Sequence, residues 1–314
     1  MGIVGDLAWI LVLLACAATV LGAFARISWL GDLASHFRLQ YAGLLLAGAL
    51  VLLLAKRLPE AALAAGVALI NLAPLARLYK KLPSSTHRVV VGRMLVANVL
   101  WNNRSRARLP QAIRDIDPDL VAVIESTAEW MPTFHALAPA YPFSLEAMSS
   151  RRFGILLLSR IPFERAEVLQ LGHAGFPSLL AQFRFDGQPV TLIATHPYSP
   201  VTPRRARLRN QQLEALAHFV KGQPGPVIVV GDLNTTSWAP AFQDLLRVAN
   251  LRDSRQGFGV QPTWPVHLPW LRIPLDHCLV SEEIVITQRR LGPLIGSDHI
   301  PILVEFSLAT APQR

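Results

Sequence analysis

The 314-residue chain is too apolar for an ordinary water-soluble enzyme, with 52% hydrophobic residues and a mean hydropathy of +0.35. Of its formal charge of +9, most belongs to residues 1–88, which carry eight basic and three acidic side chains; the other 226 residues carry 22 basic and 18 acidic side chains. That mild excess argues against a dedicated binder of long polyanions. The two cysteines, Cys16 and Cys278, imply no disulfide framework.

The apolar excess is concentrated before residue 80, in uncharged runs at residues 7–25, 39–55 and 61–76. Their length and composition predict three transmembrane helices. A cleaved signal peptide is the alternative for the first run, but Asp6 stands where a basic cluster is expected. The second and third runs are shorter than the ~20 residues that span comfortably, so a re-entrant or interfacial hairpin stays open for that pair.

Basic residues near the ends of these runs predict the orientation of the anchor. In a three-span arrangement, the N-terminus and the turn after the second run share a side that holds only Lys56 and Arg57. Six basic residues lie on the opposite side: Arg26, Arg38, Arg77, Lys80, Lys81 and Arg88. We therefore expect a multi-pass protein of the inner or cell membrane with its C-terminal part in the cytoplasm; if one run does not span, the orientation inverts.

Composition divides the chain into a membrane anchor (1–80), a basic and polar juxtamembrane linker (81–88) and a folded domain (89–314). In that domain, apolar runs predict strands at 89–99, 120–124, 154–158, 179–185, 190–194, 227–230, 277–280 and 302–306. Amphipathic stretches predict helices at 109–116, 204–221 and 239–248. The expected fold class is α/β: a four-layer sandwich of two mostly antiparallel β-sheets flanked by helices, preceded by three transmembrane helices.

Oxygen-bearing side chains stand at or just past the ends of predicted strands: Asn98, Glu125, Asp232, Asn234 and Asp298. Each of them alone is more often a turn or helix cap than a ligand. Five in the same relation to apolar strands favour a shared site for a hard cation. Mg²⁺ and Mn²⁺ prefer such oxygen ligands.

Three histidines accompany these oxygen donors: His196 at the end of a strand, His277 after Asp276, and His299 after Asp298. No Cys-x-x-Cys or His-Glu-x-x-His spacing supports a zinc site. Imidazole titrates near neutrality, and a neighbouring carboxylate fixes its tautomer, so acid/base or phosphate-contact roles fit better. His277 follows the inward-pointing Asp276 on a strand, so we expect its side chain on the opposite face, in a structural role.

The pattern resembles the endonuclease/exonuclease/phosphatase family, whose fold is that of the pancreatic-type deoxyribonucleases. The motifs that carry the resemblance occur in order: Ala97-Asn98-Val99, Val123-Ile124-Glu125, Gly154-Ile155-Leu156-Leu157-Leu158-Ser159-Arg160, Ala194-Thr195-His196, Gly231-Asp232-Leu233-Asn234, Leu275-Asp276-His277 and Ser297-Asp298-His299-Ile300-Pro301. They make residues 89–314 the expected catalytic domain. The turn 197–200 after His196 departs from the leucine-containing turn common in the family, which puts the substrate contacts there in doubt.

The resemblance implies a metal site in which Glu125 is the principal ligand of Mg²⁺ or Mn²⁺. Asn98 would assist it, and Asp298 would approach from the far side of the cleft. The cation would neutralise charge on the phosphoryl oxygens.

The resemblance also implies catalytic roles around the phosphate. Asp232 would position or deprotonate the attacking water, and Asn234 would hold phosphate oxygens. His196 would donate a hydrogen bond to a non-bridging oxygen or protonate the leaving group. His299, oriented by Asp276, would face the phosphorus in an in-line displacement that needs no covalent nucleophile.

The expected function is a membrane-tethered phosphoester hydrolase of phosphodiesterase, nuclease or phosphatase type. Its substrate would be a lipid headgroup, a small phosphoester or nucleic acid; membrane lipid is an expected partner, and no obligate protein partner is evident. A non-catalytic membrane-anchored module that keeps the fold is the alternative, although no motif residue is missing.

The basic run Arg204, Arg205, Arg207 and Arg209 is typical of a solvated helix face. A channel or transporter is disfavoured, because Gln40 and Asn71 are the only strongly polar side chains in the spans.

Overall fold

A computed structural model of the chain describes residues 2–80, 89–148 and 152–309. Four helices form the N-terminal part: α1 (Gly2–Ala23), α2 (Trp29–Ser35), α3 (Arg38–Leu54) and α4 (Leu58–Ala76), and a 3₁₀ turn, Arg77–Tyr79, continues α4. The predicted linker at 81–88 lies outside the described residues.

Within the described residues, two helical segments are long and apolar enough to cross a membrane, Gly2–Ala23 and Leu58–Tyr79. The second predicted span is different, because α3 is preceded by the short helix α2 and the two are bent by 65°. Three spans are obtained only if this bent pair is counted as one. The sequence prediction of three plain spanning helices missed the bend, since the apolar run that revealed α3 begins only at Leu39.

The anchor helices pack as a small bundle with a defined up-and-down arrangement. Val12 of α1, Leu45 of α3 and Ala64 of α4 are buried in its core. Arg57 in the turn between α3 and α4 pairs with Asp6 at 2.9 Å, which puts that turn beside the start of α1. The end of α1, the helix α2 and the end of α4 therefore lie at the other end of the bundle, next to the C-terminal domain.

Two six-stranded sheets form the centre of the C-terminal domain. The strands are β1 (Gly92–Asn98), β2 (Leu120–Ile124), β3 (Phe143–Ala147), β4 (Ile155–Ser159), β5 (Phe163–Gln170), β6 (Pro177–Phe185), β7 (Gln188–Thr195), β8 (Val227–Asp232), β9 (Arg252–Asp253), β10 (Asp276–Val280), β11 (Ile284–Leu291) and β12 (Ile302–Leu308). Their order is β11-β12-β1-β2-β4-β3 in one sheet and β5-β6-β7-β8-β10-β9 in the other. Each sheet has one parallel pair, β1 with β2 and β7 with β8, and its other pairs are antiparallel.

The sheets pack face to face over one apolar core, to which Met94, Leu192 and Ile302 contribute. Helices α5 (Arg108–Ile116) and α6 (Met131–His135) cover the outer face of the first sheet, and α7 (Pro203–Lys221) and α8 (Pro240–Ala249) cover that of the second. The expected four-layer α/β sandwich is confirmed. Central strands buried on both faces read as continuous apolar runs, which is why they could be predicted.

Candidate active site

The site residues come from strand ends that meet at one edge of the sandwich. Asn98 ends β1 and Glu125 follows β2, its parallel neighbour. On the facing sheet Asp232 ends β8, and the antiparallel register pairs it directly with Asp276, the first residue of β10. Two sheets thus deliver carboxylates and an amide to a shared cleft.

The backbone at these strand ends is unusual. Glu125 has φ of 64° and Asn234 has φ of 49°, a left-handed conformation that is uncommon for residues other than glycine. Gly231, with φ of 142°, brings its backbone so close to β7 that a Cβ atom would lie 1.9 Å from the Thr195 carbonyl oxygen. Such local strain is found at functional sites, where the surrounding fold holds it in place.

Glu125, Asn98 and Asp232 form one hydrogen-bonded group. Asn98 Nδ2 lies 3.3 Å from Glu125 Oε1 and 3.1 Å from Asp232 Oδ2. The Trp101 backbone N–H donates to the other Glu125 oxygen at 3.1 Å. Among the described residues, only His196 comes within ion-pair range of Glu125, with Nε2 at 3.8 Å, so this carboxylate has little positive charge to balance it.

His299 lies between two buried carboxylates. Its Nδ1 is 2.8 Å from Asp276 Oδ2, and its Nε2 is 3.6 Å from Asp232 Oδ2. Burial opposes the charged imidazolium, but Asp276 and Asp232 outweigh burial and raise the pKa of His299 to about 10. Burial is also the largest influence on Asp232 and raises its pKa to about 6, although His299 and His196 pull it down. Burial would raise the pKa of Asp276 too, but the charge and hydrogen bond of His299 hold it below its usual value.

His196 and Asn234 flank this pair of carboxylates. His196 Nδ1 is 3.1 Å from the Asp232 carbonyl oxygen, and that contact requires a proton on Nδ1. Its Nε2 atom consequently faces Glu125 and the cleft. Asn234 donates one amide hydrogen to the Pro197 carbonyl oxygen at 3.0 Å, so its second amide hydrogen is the one it could offer to a substrate.

Asp298 stands apart from the hydrogen-bonded group but lines the same cleft. Its Oδ2 accepts a hydrogen bond from Trp264 Nε1 at 3.0 Å, while Oδ1 is buried and has no hydrogen-bond partner among the described residues. A buried carboxylate oxygen without a partner is costly, and a bound cation would remove that cost.

The donor set fits a divalent cation. Among the described residues, Glu125 and Asp298 each lack a strong cationic partner. Asn98 lies beside Glu125, and its amide oxygen accepts one hydrogen bond, from the Leu100 N–H at 3.0 Å. Asp232, Asp276 and His299 also have possible ligand atoms within 4.8 Å of one another. We favour the first set, because in the second the His299 imidazolium already lies between the two carboxylates, and a cation that bound its ring nitrogen would have to displace a proton.

His277 does not join the cluster. Its Nδ1 lies 2.7 Å from Arg255 Nη2 and its Nε2 lies 2.8 Å from the Thr235 carbonyl oxygen, and its ring packs on Phe242 of α8. Burial, followed by the charge of Arg255, lowers the pKa of His277 well below its usual value. A neutral ring held on both nitrogens acts as a structural connection between β10 and α8.

The expectation of a solvated basic face on α7 is wrong at one residue. Arg204, Arg205 and Arg207 are exposed, but Arg209 is fully buried. Its Nη1 donates to the Asn234 carbonyl oxygen at 2.9 Å, and its Nη2 donates to Asp32 of α2 at 2.8 Å. Arg209 falls on the buried face of α7 together with Ala206 and Leu213, and this three- and four-residue spacing is the signal in the sequence that singles it out.

The anchor contributes to the cleft, which sequence reasoning did not anticipate. The cleft has a volume of about 1040 Å³, and Leu33, His36 and Phe37 line it together with Glu125 and Asp232. Residues 26–38 separate two apolar runs and read as a loop in the sequence. No motif in them indicates a place in the site.

Comparisons with known proteins agree with this architecture. A profile of the Endonuclease/Exonuclease/phosphatase family matches residues 95–299. No curated protein sequence matches the chain significantly.

Solved structures extend the agreement to the fold. D. rerio TDP2 complexed with single strand DNA product is 20% identical and superposes with a TM-score of 0.60, covering 69% of this chain and 99% of that one. An endonuclease/exonuclease/phosphatase from Beutenbergia cavernae is 17% identical with a TM-score of 0.58, covering 71% and 73%. Truncated Caenorhabditis elegans TDP2 is 17% identical with a TM-score of 0.57, covering 71% and 100%. At these identities the likeness is one of fold, whereas the profile match spans about two-thirds of the chain, and the protein therefore belongs to the endonuclease/exonuclease/phosphatase family.

Proposed function

We propose that the protein is a membrane-tethered, divalent-cation-dependent phosphoester hydrolase. In this proposal residues 89–314 are the catalytic domain, residues 1–80 anchor it and residues 81–88 link the two. The observation that carries the proposal is the convergence of Glu125 and Asp232, from different sheets, on one amide of Asn98 within 3.3 Å. Membership of a family of phosphoester-cleaving enzymes supports the reaction class.

Glu125, Asn98 and Asp298 would hold Mg²⁺ or Mn²⁺. When bound, the cation neutralises negative charge that builds on the phosphoryl oxygens during displacement. Two observations support this assignment. Asp298 Oδ1 is buried without a hydrogen-bond partner among the described residues, and His196, at 3.8 Å, is the one basic group among them within ion-pair range of Glu125.

The remaining polar residues would act on the water and the phosphate. Burial raises the pKa of Asp232 to about 6, and a carboxylate with such a pKa is suited to accept a proton from water near neutral pH. His299 would offer its charged Nε2–H to a phosphate oxygen, because Asp276 holds its Nδ1 at 2.8 Å. His196 would donate to a non-bridging or leaving oxygen, and the second amide hydrogen of Asn234 would contact the phosphate.

The test is hydrolysis of bis(p-nitrophenyl) phosphate by the full-length protein in detergent. We expect turnover with Mg²⁺ or Mn²⁺, loss on chelation with EDTA, and recovery when the cation is restored. Glu125→Gln and Asp232→Asn should each lower kcat by about 10²-fold or more, because each removes a group that acts on the reacting phosphate.

The matched controls are Glu129→Gln and Asp115→Asn, which change exposed acids on the surface of the same domain. Both should retain full activity. Unchanged turnover in Glu125→Gln and Asp232→Asn would contradict the proposal. A protein that binds phosphoesters without hydrolysing any would instead be the membrane-anchored binding module.

A further inference from the structure

The anchor is connected to two of the loops that border the cleft. Trp29 Nε1, at the start of α2, donates to the Pro200 carbonyl oxygen at 2.7 Å, in the loop after His196. Gln40 Nε2, in the first turn of α3, donates to the Arg272 carbonyl oxygen at 2.8 Å, in the loop before β10. Helix α2 and the start of α3 thus lie across the cleft between these two loops.

Two further hydrogen bonds join the anchor to the C-terminal domain behind the cleft wall. Ser35 accepts a hydrogen bond from Trp238 Nε1 at 2.8 Å, and His36 Nδ1 lies 3.0 Å from Thr236 Oγ1. His36 Nε2 is buried without a hydrogen-bond partner among the described residues. Leu33 and Phe37, one turn apart, add apolar surface to the same wall of the cleft.

Apolar side chains are exposed beside the cleft on each of these segments. They are Ile27, Leu30, Val201, Leu268, Trp270 and Leu271, with exposed fractions from 38% to 83%. Val201 follows Pro200 and Leu271 precedes Arg272, so both groups adjoin the hydrogen bonds to the anchor. We call these six side chains the apolar rim; exposed apolar side chains grouped around a cleft mark a surface that meets another apolar phase.

The apolar rim adjoins the membrane anchor, and this position indicates what the rim contacts. Ile27 and Leu30 come directly after α1, one of the two helices apolar enough to span a bilayer, so they lie at the depth where that span ends. The rim consequently faces the membrane surface, and the cleft opens beside it. Arg152 and Arg205 also line the cleft and supply positive charge for a phosphate.

Resting on the proposed function, we propose that the substrate is a phospholipid of the same bilayer and that the anchor forms part of its binding site. The wall formed by Leu33 and Phe37 contacts the glycerol and proximal acyl portion, while the phosphodiester lies at Glu125 and His196. Water supplies a hydroxyl that bonds to phosphorus and a proton that ends on the leaving oxygen, as one P–O ester bond breaks. Atoms and charge balance without any co-reactant.

Photocrosslinking tests binding without requiring turnover. The full-length Asp232→Asn protein is placed in bilayer nanodiscs of phosphatidylcholine and phosphatidylglycerol that contain a phospholipid with a diazirine near its glycerol. We expect crosslinks to Leu33, which is half-buried, and to Ile273 or Leu275, which are buried; all three line the cleft. Crosslinks confined to the outer faces of α1 and α4 would overturn the proposal.

Kinetics tests specificity in vesicles of the same two lipids. Leu33→Ala and Phe37→Ala should lower kcat/KM for the lipid about tenfold, because each removes an apolar contact to the glycerol and acyl portion. The loss for bis(p-nitrophenyl) phosphate, which lacks that portion, should be smaller; an equal loss for both substrates would contradict the lipid assignment. The control is Leu39→Ala, which changes a leucine of the same region that does not line the cleft.

The outcomes separate this proposal from the broader one. Hydrolysis of bis(p-nitrophenyl) phosphate without hydrolysis of phospholipid, or faster cleavage of single-stranded DNA than of phospholipid, would overturn the lipid assignment alone. Absence of all turnover with Mg²⁺ and Mn²⁺ would defeat the proposed function, and the lipid reaction with it.

Discussion

At the residue scale, Gly231 shows how one backbone position determines the geometry of the site. A methyl group there would lie 1.9 Å from the Thr195 carbonyl oxygen, and φ is 142°. Gly231→Ala must therefore move β8 away from β7 and displace the adjacent Asp232. We expect a loss of about 3 kcal/mol in the free energy of unfolding, from overpacking and backbone strain combined.

Gly175→Ala is the matched control for that substitution. Gly175 also has a positive φ, 72°, but a Cβ atom added there would meet nothing within 4 Å. Gly175→Ala should therefore lower the free energy of unfolding by about 1 kcal/mol, which is the cost of placing alanine at a positive φ. Denaturant unfolding of the full-length variants in detergent measures both, and equal losses would show that the close approach to Thr195 does not matter.

At the element scale, Arg209 of α7 joins the anchor helix α2 to the Asn234 loop. Both members of its ion pair with Asp32 are buried, so removing the guanidinium leaves a buried carboxylate without its partner. Arg209→Met should cost about 3–5 kcal/mol, and Arg209→Met combined with Asp32→Asn should recover part of that loss.

The exposed neighbour Arg207 on the same helix provides the control. Arg207→Met should change the free energy of unfolding by no more than about 0.5 kcal/mol. Thermal unfolding of the four proteins in detergent gives the comparison. A double variant as unstable as Arg209→Met would mean that the pair contributes through packing rather than charge.

The elements that could be predicted differ physically from those that could not. Strands β2 and β8 are buried on both faces and appear as apolar runs, whereas β3 and β5 alternate exposed and half-buried residues at sheet edges and gave no such run. Asn98 and Glu125 could be grouped from the sequence because each stands at the end of an apolar strand. The burial of Arg209 is signalled by its spacing on α7. Its pairing with Asp32 and the place of His36 in the cleft depend on how the anchor docks, and no local pattern carries that information.

At the scale of the whole molecule, the distribution of basic residues predicts that the turn at Lys56 and the catalytic domain lie on opposite sides of the membrane. In a Cys16→Ala background, a membrane-impermeant maleimide should label Lys56→Cys in intact cells but should label Glu282→Cys only after lysis. Glu282 is an exposed residue of the C-terminal domain. Cys278 should stay silent, because burial raises the pKa of its thiol to about 12 and a protonated thiol reacts poorly.

The opposite labelling pattern would place the domain outside the cytoplasm. Labelling of both positions in intact cells would mean that α4, which lies between Lys56 and the C-terminal domain, does not cross the membrane. Either result would revise the orientation without affecting the site geometry.

The Leu78 carbonyl oxygen accepts hydrogen bonds from the backbone N–H groups of Gly257, at 2.8 Å, and Gly259, at 3.1 Å. Leu75 and Leu78 also pack with Trp238 and Val260. A chimera in which a foreign transmembrane segment replaced residues 1–80 would lose these contacts and would expose apolar surface on the C-terminal domain. We therefore expect the two parts of the chain to be stable and expressible only as one unit.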